Sequence, residues 1–76
     1  DWGIDIGTYP NRFTADKILI KTALSEMISL EGSLRKVVKN QYGFRATFLG
    51  LSEVKAEQAC ERLRNRGVNC EIIGPS

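Results

Sequence analysis

The sequence predicts a small α+β domain in which strands and helices follow one another in the order βαββαβ. Three observations support this prediction. The chain has 76 residues, which is enough for one domain. Four segments show the period-two alternation of strands and two show the longer period of helices, with glycine, proline and asparagine between them. Such a chain normally forms one four-stranded antiparallel sheet with two helices on one face, because each βαβ crossover is right-handed.

The first strand is predicted over residues 2 to 8, where apolar side chains alternate with others. Asp5 falls on the side opposite the apolar residues. A proline and an asparagine in TYPN, residues 8 to 11, then end the strand, so Tyr9 is expected in a loop at the edge of the sheet. The side chains predicted to face inward are Trp2, Ile4 and Ile6.

The first helix is predicted to begin at an N-cap formed by Thr14 and to run to about Ser29. Asp16 would then lie in the first turn, where the helix dipole favours an anion. A broad apolar stripe suits packing onto a sheet. Its members are Ala15, Ile18, Leu19, Ile20, Ala23, Leu24, Met27 and Ile28.

Residues 33 to 40 and 44 to 51 predict a hairpin that turns at Tyr42-Gly43. The second strand is basic through Arg35, Lys36 and Lys39. The sequence leaves open which of them faces away from the helices, because the strand register is not determined. In the third strand, alternation separates two sets of side chains. Phe44, Ala46 and Phe48 are predicted in the core, and Arg45, Thr47 and Leu49 on the opposite face.

The second helix is predicted to begin after Ser52, with Glu53 in its first turn, and to stop at Gly67. Residues 69 to 73 form the last predicted strand, with Cys70 on its helix-facing side. The apolar side of the helix comprises Val54, Ala56, Ala59, Cys60 and Leu63.

The two cysteines, Cys60 and Cys70, raise four possibilities: a zinc site, a redox pair, a disulfide or two free thiols. Two thiols without any histidine cannot supply the four ligands of structural zinc, and their spacing is not that of a CxxC redox site. Since both are predicted to face the space between helix and sheet, a disulfide is feasible and would stabilise a small domain by about 3 kcal/mol. We predict this disulfide, which favours an oxidising compartment, with two buried free thiols as the alternative.

Composition and motifs argue against several functions. With 42% hydrophobic and 26% charged residues the chain is globular, and a net charge of +2 is too small to indicate a polyanionic partner. No histidine, nucleophile with a neighbouring base or phosphate-binding glycine loop is present, so we expect no enzyme, cofactor or metal site. No run approaches the roughly 20 apolar residues that cross a bilayer, so we expect no membrane insertion.

Two strand motifs and one helix motif resemble those of SPOR (sporulation-related repeat) domains. Residues 2 to 9, WGIDIGTY, resemble the first-strand pattern W-x-V-Q-L-G-x-F. Residues 44 to 51, FRATFLGL, are similar to the third-strand pattern Y-R-V-x-V-G-x-F with one residue added. The helical run Ala56, Ala59, Leu63, Gly67 resembles A-x-x-A-x-x-x-L-x-x-x-G. The paired cysteines and the F-R-A-x-F form most resemble SPOR-like modules at the C-terminus of bacterial D-alanyl-D-alanine carboxypeptidases.

The resemblance implies a domain that binds peptidoglycan glycan strands on the open face of its sheet and directs a host protein to the division site. Arg45 matches the outward arginine of the third strand, and Asp5 stands where the family has a glutamine. An ionised aspartate accepts hydrogen bonds but cannot donate them. Asp5 thus departs from the family's pattern. From the resemblance and the outward face we predict glycan binding by Asp5, Arg45 and Thr47, with Tyr9 as a candidate for stacking on a sugar ring.

The chain starts at Asp1 without a methionine, so we interpret it as one domain, residues 1 to 76, excised from a larger exported protein of the periplasm or cell envelope. We expect the isolated domain to be monomeric. One alternative is a protein-interaction module that stabilises its host and uses Leu49 and Ile73 as contacts. An RNA-recognition fold has the same element order, but here the third-strand aromatics alternate onto the core side, so we expect no nucleic-acid partner.

Overall fold

Four strands and two helices alternate along the chain in the predicted order, in a computed structural model that describes residues 1–75. The strands begin and end within two residues of their predicted positions. The elements are β1 (Trp2–Tyr9), α1 (Arg12–Ser25), β2 (Leu34–Asn40), β3 (Gly43–Leu51), α2 (Glu53–Asn65) and β4 (Glu71–Ile73).

The strands form one antiparallel sheet in the order β2-β3-β1-β4. Ile4 pairs with Phe48 across β1 and β3, and Asp5 pairs with Thr47. Because paired residues of neighbouring strands share a face, Ile4 and Phe48 point to one side and Asp5 and Thr47 to the other. The alternation predicted for both strands is confirmed at these positions.

A single hydrophobic core joins both helices to the same face of the sheet, which confirms the predicted α+β architecture. The helices contribute small side chains that allow close approach to the strands, and the sheet contributes large ones. The buried apolar residues are Ile4, Ile6, Ala15, Leu19, Leu30, Ala46, Phe48, Leu51, Ala56, Ala59, Cys60, Leu63 and Cys70.

Helix α1 begins earlier than the sequence predicts. Asn11, not Thr14, is the N-cap, and its side-chain oxygen accepts a hydrogen bond of 2.8 Å from the Thr14 amide. Asparagine is at least as good an N-cap as threonine, so the helix starts at Asn11, about one turn before the predicted residue. As a result Asp16 lies beyond the first turn, which holds no acidic residue.

The predicted apolar stripe of α1 is wrong in part. Three side chains of the helix are fully buried, and these are Ala15, Leu19 and Thr22. Large apolar side chains cover the opposite, outer side of the helix and the turns after it. They are Phe13, Ile20, Leu24, Met27 and Ile28.

Glu26 follows the last residue of α1 and connects this end of the helix to α2. The helix stops at Ser25 rather than near Ser29, and Glu26 follows the buried row at the next helical step with only 2% of its surface exposed. Arg62 of α2 donates to Glu26 Oε1 at 2.6 Å, and Arg66 Nε lies 2.6 Å from Oε2 as an ion-pair contact rather than an aligned hydrogen bond. These contacts hold this side of α1 against α2.

Helix α2 agrees closely with the prediction. Ser52 caps it by accepting from the Lys55 amide at 3.1 Å. Gly67 ends it with a φ of 79°, and the amide of Val68 reaches back to the carbonyl of Leu63 at 2.9 Å, which is a Schellman motif. One apolar residue departs from the prediction, since Val54 is exposed rather than packed.

The predicted disulfide is present. Cys60 of α2 and Cys70, just before β4, are bonded with their Cα atoms 5.3 Å apart, and residues 1–75 contain no free cysteine. The alternative of two free thiols is therefore wrong for this structure. The bond fastens the three-residue strand β4 to the helix that covers it.

Candidate functional site

One face of the sheet carries no helix, since both described helices pack on the other. We call it the open face. Strand pairing places charged and apolar side chains on it in roughly equal number. Its residues are Asp5, Thr8, Leu34, Lys36, Val38, Arg45, Thr47, Leu49, Glu71 and Ile73.

Asp5 lies at the centre of the open face and shapes the strand around it. Its Oδ1 accepts a 2.8 Å hydrogen bond from the amide of Gly7, at a point where the pairing of β1 with β3 shifts register. Gly7 has a φ of 120°, a conformation that other residues rarely adopt. The carboxylate therefore supports a β-bulge in addition to facing solvent.

Arg45 lies beside Asp5 on the open face, which is the face predicted for both residues. Its Nε is 3.3 Å from Asp5 Oδ2, with 36% of the arginine side chain and 20% of the aspartate side chain exposed. Nε makes no hydrogen bond of good geometry, so the contact is electrostatic rather than an aligned pair. A half-exposed ion pair of this kind contributes roughly 0–1 kcal/mol, too little to explain it by stability alone.

Thr47 lies on the open face but does not line its surface. The residue is 1% exposed, and its hydroxyl donates a 2.7 Å hydrogen bond to the carbonyl of Lys36 in β2. Its side chain is thus buried and bonded to the backbone of β2. A direct glycan contact by Thr47 stays a prediction.

Tyr9 differs from its predicted loop position. It is the last residue of β1 and pairs with Phe44, on the helix side of the sheet. Its hydroxyl donates to the carbonyl of Ile6 at 2.8 Å. Partial burial, followed by the nearby charge of Asp5, raises the pKa of the Tyr9 hydroxyl above its usual value. A stacking role for Tyr9 stays a prediction.

The sequence did not predict a groove that runs from Asp5 to the residues just before β4. It has a volume of about 640 Å³, and its walls include Arg64, Asn69 and Glu71. Arg64 donates to the carbonyl of Cys70 through Nε at 3.1 Å and Nη2 at 2.7 Å, which fixes its guanidinium at this end of the sheet. Alternation in the last strand indicates that Glu71 faces away from Cys70, but an arginine near the end of a helix is accounted for by the helix dipole, so the sequence gives no signal that Arg64 lines a groove.

The charges of the open face are mixed, and its described side chains are not aromatic. Lys36 and Arg45 are balanced by Asp5 and Glu71, so the face is not a basic patch. Phe44, on the helix side, is flanked by the cations of Arg12 and Lys39, at 5.4 and 5.8 Å from its ring centre. The face is thus suited to neutral polar ligands better than to stacked bases.

Two further findings concern residues 1–75. No group of three or more histidine, cysteine, aspartate or glutamate side chains is arranged to hold a metal ion. Neither helix of this part of the chain combines the length and the hydropathy that a membrane span requires.

Comparisons with known proteins give no family. No family model matches the chain, and no curated protein or solved structure is significantly similar to it. The resemblance to SPOR domains therefore stays a prediction from the sequence motifs.

Proposed function

We propose that this chain is a non-catalytic peptidoglycan-binding module that holds glycan strands on its open face and localises an attached cell-wall enzyme or division protein. The observation that carries the proposal is Arg45, partly exposed on a sheet face without a helix and paired there with Asp5. The SPOR-like motifs support it, because they place an arginine at this position of the third strand.

The chemistry of the face suits a sugar polymer. Arginine has five N–H donors, and Arg45 meets Asp5 through Nε, so the donors of its terminal nitrogens serve hydroxyl and acetamido oxygens of the glycan. Asp5 accepts from sugar hydroxyls with the lone pairs that Gly7 and Arg45 leave free. Leu34 and Leu49, paired side by side, offer aliphatic surface to the C–H faces of the sugar rings.

The setting proposed for the module is the bacterial periplasm or cell envelope. A disulfide between Cys60 and Cys70 is compatible with an oxidising compartment outside the cytoplasm. The host is proposed to be a larger exported protein, such as a D-alanyl-D-alanine carboxypeptidase. Peptidoglycan is then the partner, and the module supplies location rather than catalysis.

The test is co-sedimentation of the chain with purified sacculi before and after an amidase removes the stem peptides. We expect capture to rise after amidase treatment. We expect Arg45→Ala to weaken capture roughly tenfold or more, because hydrogen bonds from a charged donor contribute about 1.5–3 kcal/mol. Arg35→Ala is the matched control, since Arg35 is an exposed arginine of β2 whose partner Phe48 places it on the helix side. Equal retention of Arg45→Ala and wild type, both folded by circular dichroism, contradicts the proposal.

Leu34, which is 68% exposed on the open face, favours a second candidate, a protein-interaction module that stabilises the host enzyme without glycan affinity. Absence of capture by any sacculus preparation, together with protection of the host enzyme from thermal unfolding, supports this second function. Capture that single-stranded RNA abolishes supports the nucleic-acid reading instead.

A further inference from the structure

Five large apolar side chains are exposed on the outer side of α1 and on the turns after it. We call this surface the apolar ridge and define it as Phe13, Ile20, Leu24, Met27 and Ile28. Their exposed fractions are 76%, 49%, 68%, 66% and 82%. Singly exposed apolar residues are common, but these five are neighbours. Leu24 lines one groove with Phe13 and Ile20 and a second groove with Met27 and Ile28. A cluster of this kind indicates a surface that binds a partner.

The ridge lies directly opposite the buried row of α1. At 100° per residue, Phe13, Ile20 and Leu24 fall within about 40° of one another. Ala15, Leu19 and Thr22 fall on the far side of the helix and face the sheet. The ridge therefore projects away from the domain and cannot fold onto its own core.

Charged side chains border the ridge unequally. Lys17 and Lys21 flank Leu24 on one side, and Asp16 borders the other side, around an apolar groove of about 510 Å³. Arg12 is directed to the ring of Phe44 instead. The border of the ridge is thus mostly cationic, which is complementary to an anionic partner.

A second copy of the chain fits this border poorly. In an antiparallel two-fold pair, equivalent flanks of the two helices face each other, so the lysine flank meets the lysine flank of the copy. In a parallel pair, Lys17 lies close to the line along which the two helices touch, so it approaches the Lys17 of the copy. Either arrangement brings cations together where the apolar contact forms.

We infer that the apolar ridge docks on an anionic lipid surface. Its aliphatic side chains and Phe13 enter the boundary between headgroups and acyl chains, while the stems of Lys17 and Lys21 let their ammonium groups reach the lipid phosphates. The attachment is peripheral and reversible, because α1 lies along the surface and does not span it. The open face of the sheet points the opposite way, so a glycan and a lipid surface do not compete for the same side.

The inference is independent of the proposed glycan function and is tested by flotation with vesicles. Vesicles of phosphatidylglycerol and phosphatidylcholine in equal parts are compared with vesicles of phosphatidylcholine alone. We expect binding to the anionic vesicles only, with high salt weakening it. The double variant Lys17→Gln, Lys21→Gln should lose about thirtyfold in affinity, since each lysine near an anionic surface contributes about fivefold.

The apolar contribution is tested with Leu24→Ser, Ile28→Ser, which should abolish binding to anionic vesicles. The matched controls are Val54→Ser and Lys55→Gln, which change an exposed apolar residue and an exposed lysine on α2 and should bind as wild type does. Absence of vesicle binding, or equal binding by the ridge variants, overturns the inference. A dimer in sedimentation equilibrium that Leu24→Ser, Ile28→Ser dissociates also overturns it, because a second copy then covers the ridge. Sacculus capture should be unchanged in all ridge variants, so the two proposals fail separately.

Discussion

The two helices cover the same face of one sheet, yet they divide polar and apolar side chains differently. Helix α2 buries Ala56, Ala59, Cys60 and Leu63 and is otherwise mostly charged. Helix α1 buries a shorter row and carries large apolar residues on its solvent side. The comparison teaches that the spacing of apolar residues predicts which side of a helix faces the sheet only where the other side is polar.

The causes of the two rotations are also different. The apolar side of α2 determines which way it faces, and the disulfide at Cys60 reinforces that choice. In α1, apolar side chains on both sides leave the rotation undetermined by hydrophobicity. The carboxylate of Glu26, buried against Arg62 and Arg66, then decides it.

The largest effect should come from the buried row of α2. Leu63→Ala should reduce the free energy of unfolding by about 2–5 kcal/mol, because Leu63 is 1% exposed and its removal leaves a cavity. Leu24→Ala, on the outer side of α1, should change it by no more than about 0.5 kcal/mol. Urea denaturation measures both. Equal losses in the two variants contradict the contrast between the helices.

The disulfide should have the next largest effect. Replacing Cys60 and Cys70 with alanine should cost about 3 kcal/mol, because the bond closes a loop of about 11 residues. The same urea experiment with and without a reductant measures the effect. Wild type should lose stability on reduction and the double variant should not. Equal stability of wild type and the double variant without reductant speaks against a structural role for the bond.

The contact at Glu26 should give a smaller, pH-dependent loss. The hydrogen bond from Arg62 lowers the pKa of Glu26 in spite of burial, and the charges of Arg62 and Arg66 and a hydrogen bond from Ser29 add to this. A pKa lower in the folded state means that the stabilisation is complete above the usual glutamate pKa of 4.5 and is lost as the pH falls through the folded value.

Thermal unfolding between neutral and acidic pH tests this contact. Glu26→Gln should be less stable than wild type at neutral pH, and the gap should shrink as the pH falls below about 4.5. Glu57→Gln, an exposed glutamate of α2, is the control and should follow wild type. A pH-independent gap for Glu26→Gln shows that shape, and not charge, holds α1 in place.

The smallest effect should come from the caps. Asn11→Ala and Ser52→Ala should each cost about 1 kcal/mol, since each residue accepts a hydrogen bond from an otherwise unpaired amide. Thr14→Ala should cost less than Asn11→Ala in urea denaturation. The reverse order contradicts the observed start of α1.

The element order, the inward alternation of Ile4 and Phe48 and the disulfide could all be predicted from the sequence. The side of Tyr9 could not, because the bulge at Gly7 shifts the alternation by one residue and returns Tyr9 to the helix side. The burial of Thr47 could not be predicted either, because it depends on packing and on a hydrogen bond to the neighbouring strand β2. The alternation of residues in a sequence predicts which face of the sheet a side chain takes in a regular strand. It does not predict where a β-bulge falls, or which polar side chains are buried by their neighbours.

Strand β4 has only three residues, yet it covers the outer rim of β1, a strand whose alternate side chains are apolar. If the sulfur–sulfur link at its base were cut, these three residues could detach and leave the amides and carbonyls of β1 unpaired. An unpaired strand edge of this kind is a place where another chain can add a strand. By anchoring β4, the bond between the two cysteines therefore also keeps this edge of the sheet paired.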